Sequence, residues 1–148
     1  MRKTIIFLTF NLIFIGFSFG QETECGDGII YSNEKQTKYD KRLSDYPKIE
    51  SLPTYSDGKD ELNKLIESSL KVAENAKDIV FRLNYMFTVT CDGQIKDFQT
   101  LGDPKASELT NMEDILKETS GKWKPAEKDG KPVDCIFFAK KTIVGSKY

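Results

Sequence analysis

IVFRLNYMFTVTCDG, residues Ile79 to Gly93, decides how the rest of the chain must fold. Ile79, Phe81, Leu83, Tyr85, Phe87 and Val89 are apolar, and the residues between them, Val80, Arg82, Asn84, Met86, Thr88 and Thr90, are mostly polar. Alternation at period 2 predicts a β-strand with one buried face, because successive side chains of a strand point to opposite sides. Asp92-Gly93 then supplies residue types that tolerate the positive φ of a tight hairpin. Whatever else the chain forms has to cover the face carrying Phe81, Leu83, Tyr85, Phe87 and Val89.

The flanks offer the cover. Before this strand, Leu62, Leu65, Ile66, Ser69 and Leu70 recur at helical spacing, with Glu61, Lys64, Glu67 and Lys71 on the other side. That predicts an amphipathic helix of about 13–16 residues, capped by Ser56 or Asp57. After the turn, Gln94 to Leu101 reads as a second strand. Its parity is uneven, and a bulge near Lys96-Asp97 would let Ile95 and Phe98 both face inward. Gly102-Asp103-Pro104 ends it. A second helix is expected over Ser107 to Thr119, buried through Leu109, Met112, Ile115, Leu116 and Thr119, with Gly121 at its end. Trp123-Lys124-Pro125-Ala126 is extended, since the residue before proline avoids the helical region. Asp129-Gly130 makes another turn, and Val133 to Val144 is the third strand, with Pro132 at its start. The order is α-β-β-α-β, an α+β fold. Its three-stranded, mixed antiparallel sheet has the order 2-1-3, with a right-handed crossover and both helices on one face.

The chain has 148 residues. Arg2 and Lys3 precede Thr4 to Gly20, a run without charge. It is shorter than the ~20 residues of a spanning helix. With small residues at Ser18 and Gly20, it reads as a secretory signal over residues 1–20. The alternative is an uncleaved inner-membrane anchor. Removing the segment takes two of 22 basic residues and none of 23 acidic ones, leaving a net charge of −3. That balance argues against nucleic acid as a partner. Residues 21–48 read as a polar N-terminal arm, and 49–148 as the folded domain. Ile29, Ile30 and Tyr31 of the arm either pack on the domain or add an edge strand. The chain contains no histidine, which removes His-based triads and most zinc sites. No catalytic constellation is visible, so no enzyme activity, cofactor, metal or small-molecule substrate is expected.

Three stretches together resemble one family. TVTCDGQIKDFQTLG (88–102) is similar to the β-hairpin of the TonB C-terminal domain. GKWKPAEKDGKPVDCIFF (121–138) resembles that family's last signature, with Trp123, Pro125, Ala126, Gly130, Lys131, Pro132 and Val133 in place, as Asp92 and Gly93 are in the hairpin. YSDGKDELNKLIESSLKV (55–72) resembles its entry helix. The likeness covers about Tyr46 to Val144 and implies a TonB/TolA C-terminal-like sheet. It also implies a periplasmic module that binds a short peptide of an outer-membrane transporter, or another periplasmic protein, by β-augmentation. The binding edge would be the last strand, Cys135, Ile136, Phe137, Phe138, Ala139, Lys140, Lys141, Thr142 and Ile143. Lys140 and Lys141 alternatively blunt that edge, or it pairs with a second copy in a structural homodimer. The transducer's membrane Ser…His motif and its long proline-rich spacer have no counterpart here.

Cys91 and Cys135 share strand parity and lie at adjacent ends of an antiparallel 2-1-3 sheet. A Cys91–Cys135 disulfide is expected, with two buried thiols as the alternative. Cys25 on the arm is the odd one out. Trp123 is expected to pack the helix end onto the sheet, the other reading being an exposed aromatic anchor.

Overall fold

The computed structural model describes residues 28–148, and its architecture is α+β. Among the described residues eight strands are formed: β1 Ile30–Asn33, β2 Lys48–Ile49, β3 Thr54–Tyr55, β4 Val80–Val89, β5 Ile95–Leu101, β6 Trp123–Lys124, β7 Ala126–Lys128 and β8 Lys131–Val144. The helices are α1 Glu34–Thr37, α2 Lys59–Ser69 and α3 Met112–Lys117. The signal segment read at residues 1–20 and Cys25 lie outside the described residues. Among those described, no helix is long and apolar enough to cross a membrane.

The alternating stretch is β4, and it lies inside the sheet. It pairs antiparallel with β5 on one side and with β8 on the other. The β4–β8 ladder runs without a break from Val80↔Val144 to Val89↔Cys135. Its odd-numbered face carries Leu83, Tyr85, Phe87 and Val89 into a core shared with Ile143, with Ile66 and Leu70, and with Met112, Ile115 and Leu116 of α3. Tyr85 stacks on Phe87 and Phe98, at ring-centre distances of 6.4 and 5.9 Å.

The bulge in β5 is present. Met86 faces Gln99 but Thr88 faces Lys96, so Asp97 and Phe98 together stand opposite Phe87. Asp97 takes φ 55°, and Ile95 and Phe98 both pack against the core. An extra residue on one strand reverses the parity beyond it, which explains the uneven pattern. The β4–β5 loop is longer than a two-residue hairpin. Thr90 N–H donates to Gln94 O at 2.9 Å, and Gly93 N–H to Thr90 O at 2.8 Å. The Thr90 hydroxyl donates to Asp92 Oδ1 and holds that carboxyl below its ordinary value. Gly93 alone in this loop has positive φ, at 79°. Asp129 and Gly130 both have it, as a two-residue turn joining β7 to β8 requires.

Two expectations are corrected. The sheet is not three-stranded: its order is β2-β1-β8-β4-β5, and β7 also pairs with β8. The sheet's second face is covered as well. Met86, Leu101, Ile136 and Phe138 form a second cluster with Leu43, joined by Ile30 and Tyr46. The described part of the arm therefore packs across this face, and β1 adds a strand parallel to β8 at Ile30↔Asp134 and Tyr31↔Cys135. Its polar residues are buried brackets. Ser32 Oγ donates to Leu43 O at 2.9 Å, and Asn33 Nδ2 donates to Ile49 O and Glu50 O at 3.1 and 2.8 Å. Buried polar groups are tolerated because they are hydrogen-bonded. The second correction concerns the helices. Gly58, not Ser56 or Asp57, is the N-cap of the first, which is 11 residues long. The second is a six-residue 3-10 turn over Pro104–Leu109 followed by a six-residue α3.

Candidate functional site

The β8 edge is built by alternation. Phe138 N–H donates to Gln36 Oε1 at 3.2 Å, and Gln36 Nε2 donates to Phe138 O at 3.3 Å. Both backbone groups of Phe138 therefore point away from β4. On the other parity, Gly145 N–H donates to Ile79 O at 3.0 Å, on the β4 side. In an antiparallel ladder the two directions alternate residue by residue. Lys140, Thr142 and Val144 hence present N–H and C=O outward, as Phe138 does.

Along this edge the outer side is closed and then open. β1 pairs with Asp134 and Cys135. The Gln36 carboxamide completes one more rung at Phe138, taking the place of a strand backbone. Beyond Phe138 no strand among the described residues pairs with the outer side of β8. The expectation of a free edge from Cys135 to Ile143 is thus corrected. Cys135, Ile136, Phe137 and Phe138 lie in the half closed by the chain itself. Ala139, Lys140, Lys141, Thr142 and Ile143 lie in the open half, about 20 Å long at ~3.3 Å per residue through Val144.

A groove of about 380 Å³ opens at this half. Leu62, Asn63 and Ile66 of α2, with Tyr85 and Ala139, line its helix side, and Tyr39 stands at its other wall. Tyr39 is 48% exposed. Its ring stacks on Phe138, centres 5.2 Å apart and planes within 9°. Two ammonium groups flank that ring, Lys140 Nζ at 4.9 Å and Lys38 Nζ at 5.1 Å from its centre. Lys59 and Lys141 complete the rim, and Lys141 reaches Glu67 at 3.4 Å. No ion pair is formed by Lys38, Lys59 or Lys140 among the described residues. The sequence pointed to β8 through its apolar alternation. Nothing in its pattern marked Gln36 or Tyr39, which belong to a stretch of polar and charged residues without periodicity.

The remaining residues singled out from sequence fall elsewhere. Trp123 is buried against Tyr55, Phe87 and Phe137 and is not an exposed anchor. Pro125 separates β6 from β7, and Pro132 and Val133 follow Lys131, the first residue of β8. Asp92 and Gly93 form the β4–β5 loop at the far end of the sheet from the groove. Among the described residues no three His, Cys, Asp or Glu side chains come together as metal ligands.

The Cys91–Cys135 disulfide is contradicted. Cys135 is a free, buried thiol, whereas Cys91 is disulfide-bonded, so its partner lies outside the described residues. The register gives the reason: Cys135 faces Val89, one pleat short of Cys91. Cys91 N–H instead donates to Asp134 Oδ1 at 2.9 Å. Burial pushes the Cys135 thiol from 9.0 up to about 12, and the Tyr85 hydroxyl from 10.0 up to about 12. Two results are expected. Iodoacetamide at mildly alkaline pH leaves Cys135 unmodified in the folded protein and labels it on unfolding, because only a thiolate reacts. Stability also falls as pH rises above about 9, the fall steepening near 10, since the unfolded chain releases these two protons while the folded one keeps them. Denaturation midpoints across that range check the second result, and a midpoint that rises with pH contradicts it.

Models of known protein families and curated proteins were both compared with the chain, and neither gives a match.

Proposed function

We propose that the chain is a protein-binding module that takes an extended segment of a partner as an added strand on the open half of β8. One observation carries this reading. Among the described residues the outward backbone groups of Lys140, Thr142 and Val144 meet no strand, and an open groove lies directly beside them. Main-chain hydrogen bonds supply affinity in such an interface, and the groove beside the edge selects alternate side chains. The resemblance of residues 46–144 to the TonB C-terminal domain supports it and suggests the setting. That setting is the periplasm, with an outer-membrane transporter's peptide as partner and a sheet of TonB/TolA C-terminal type. The reading is confined to binding, because the resemblance covers the binding domain alone.

Thr142→Pro tests the proposal. Its N–H points outward, so the ring removes a rung offered to a partner and none of the bonds to β4, a position where edge strands accept proline. With a panel of short extended peptides from periplasm-facing transporter segments, the native chain should bind at least one at micromolar-range Kd. Thr142→Pro should weaken that binding about tenfold or more, with little change in unfolding midpoint. Ile143→Pro, one residue on, deletes a bond to β4 and should destabilise the fold. Equal binding by the native chain and Thr142→Pro would overturn the proposal.

A further inference from the structure

The two walls of the groove differ in chemistry, and a strand added to β8 would present alternate side chains to each. On the α2 side stand Leu62, Ile66, Tyr85 and Ala139, an apolar wall. On the arm side stands Tyr39, exposed and flanked by the Lys38 and Lys140 ammonium groups. Those two lysines have no carboxylate partner among the described residues, although five other cations form ion pairs. The chain as a whole carries a formal charge of −1, so this local cationic excess is not a general property of its surface.

From this geometry, and resting on the strand-addition reading above, we infer that the partner segment is acidic and amphipathic at period 2. Apolar side chains at alternate positions enter the groove against α2. Carboxylates at the positions between them meet Lys140 and Lys38 across the Tyr39 ring. Complementary charge across an interface selects partners and speeds their encounter. A second copy of this chain fits poorly in the same place, because its β8 edge would bring another Lys140 and Lys141 to a seam that already holds that pair. The arm is part of the site: Tyr39 and Lys38 exist at this edge only because β1 and Gln36 dock the arm on β8.

Three capped peptides of about seven residues decide it: one alternating Leu and Asp, one Leu and Asn, and one Leu and Lys. Binding is read by isothermal calorimetry at low and high salt, on the native chain, Lys140→Glu and Thr142→Pro. The expected result is that the Asp peptide binds about tenfold more tightly than the Asn peptide at low salt. That margin should shrink at high salt, since exposed charges are screened. The Lys peptide should bind weakest, and Lys140→Glu should erase or invert the order. Thr142→Pro should lose all three. If Asp and Asn peptides bind equally and Thr142→Pro loses both, strand addition stands and the acidic partner is overturned. If the Asp peptide binds Thr142→Pro as well as the native chain, the contact is surface charge alone and the inference fails. If no peptide binds, both readings fail.

Discussion

Trp123→Ala is expected to lower the free energy of unfolding by about 3–5 kcal/mol, the usual range for truncating a large buried aromatic. The indole is 4% exposed and occupies the junction of the two sheets. It meets Phe87 at 5.3 Å, Phe137 at 5.2 Å and Tyr55 at 5.7 Å, each edge to face or nearly so. Such pairs contribute about 0.5–1.5 kcal/mol each beyond the area they bury. Its Nε1–H donates to Thr119 Oγ1 at 2.9 Å, and that hydroxyl donates to Leu116 O at 2.6 Å, so the ring also orders the chain that follows α3. Urea unfolding followed by circular dichroism measures the loss. Trp123→Phe should recover part of it, because the ring contacts return without the N–H donor. A loss under about 1 kcal/mol would mean that the junction can collapse around the gap.

Gly93→Ala is expected to cost about 2–4 kcal/mol, although it adds a single methyl group. Two effects combine. The residue sits at φ 79°, a conformation that costs an L-residue about 1–2 kcal/mol. A Cβ there would lie 2.3 Å from Trp123 O, a backbone atom that cannot rotate aside. Overpacking of that kind adds about 1–3 kcal/mol. Gly130→Ala separates the two contributions. Gly130 has φ 75° but nothing within 4 Å of its would-be Cβ, so only the conformational cost applies. The difference between the two variants in the same urea titration measures how closely the β4–β5 loop is held against β6. Equal effects would remove the close approach from the account.

Both variants act on parts of the fold that the sequence announced, and the reasons differ from what it left hidden. Phe81 to Val89 revealed a strand because burial on one face imposes period 2. The same pattern could not show that Met86 and Thr88, on the opposite face, are 7% and 5% exposed. Their cover comes from a segment whose own buried residues are Ser32, Asn33 and Gln36, with Tyr31 and Leu43 too far apart to give a period. Side-chain-to-backbone hydrogen bonds hold that segment, and they leave no hydrophobic signature. Cysteine pairing failed for a related reason. Parity fixes the face of a strand, but a shift of two residues keeps every side chain on that face. Cys91 and Cys135 therefore looked opposed when Val89 is the residue across from Cys135. The candidate site was legible to the same extent. The last strand could be identified as an edge, but Gln36 closing half of it and Tyr39 walling the other half depend on how the arm docks.

Residue-resolved amide hydrogen exchange along β8 distinguishes paired from unpaired rungs one by one. In the free protein, Phe137, Ala139, Lys141 and Ile143 should be protected by β4, and Phe138 by Gln36, while Lys140 and Thr142 exchange rapidly. Adding the Leu–Asp peptide should slow Lys140 and Thr142 selectively. Contradiction would come from Lys140 and Thr142 being as protected as their neighbours in the free chain, or from their remaining fast with the peptide bound.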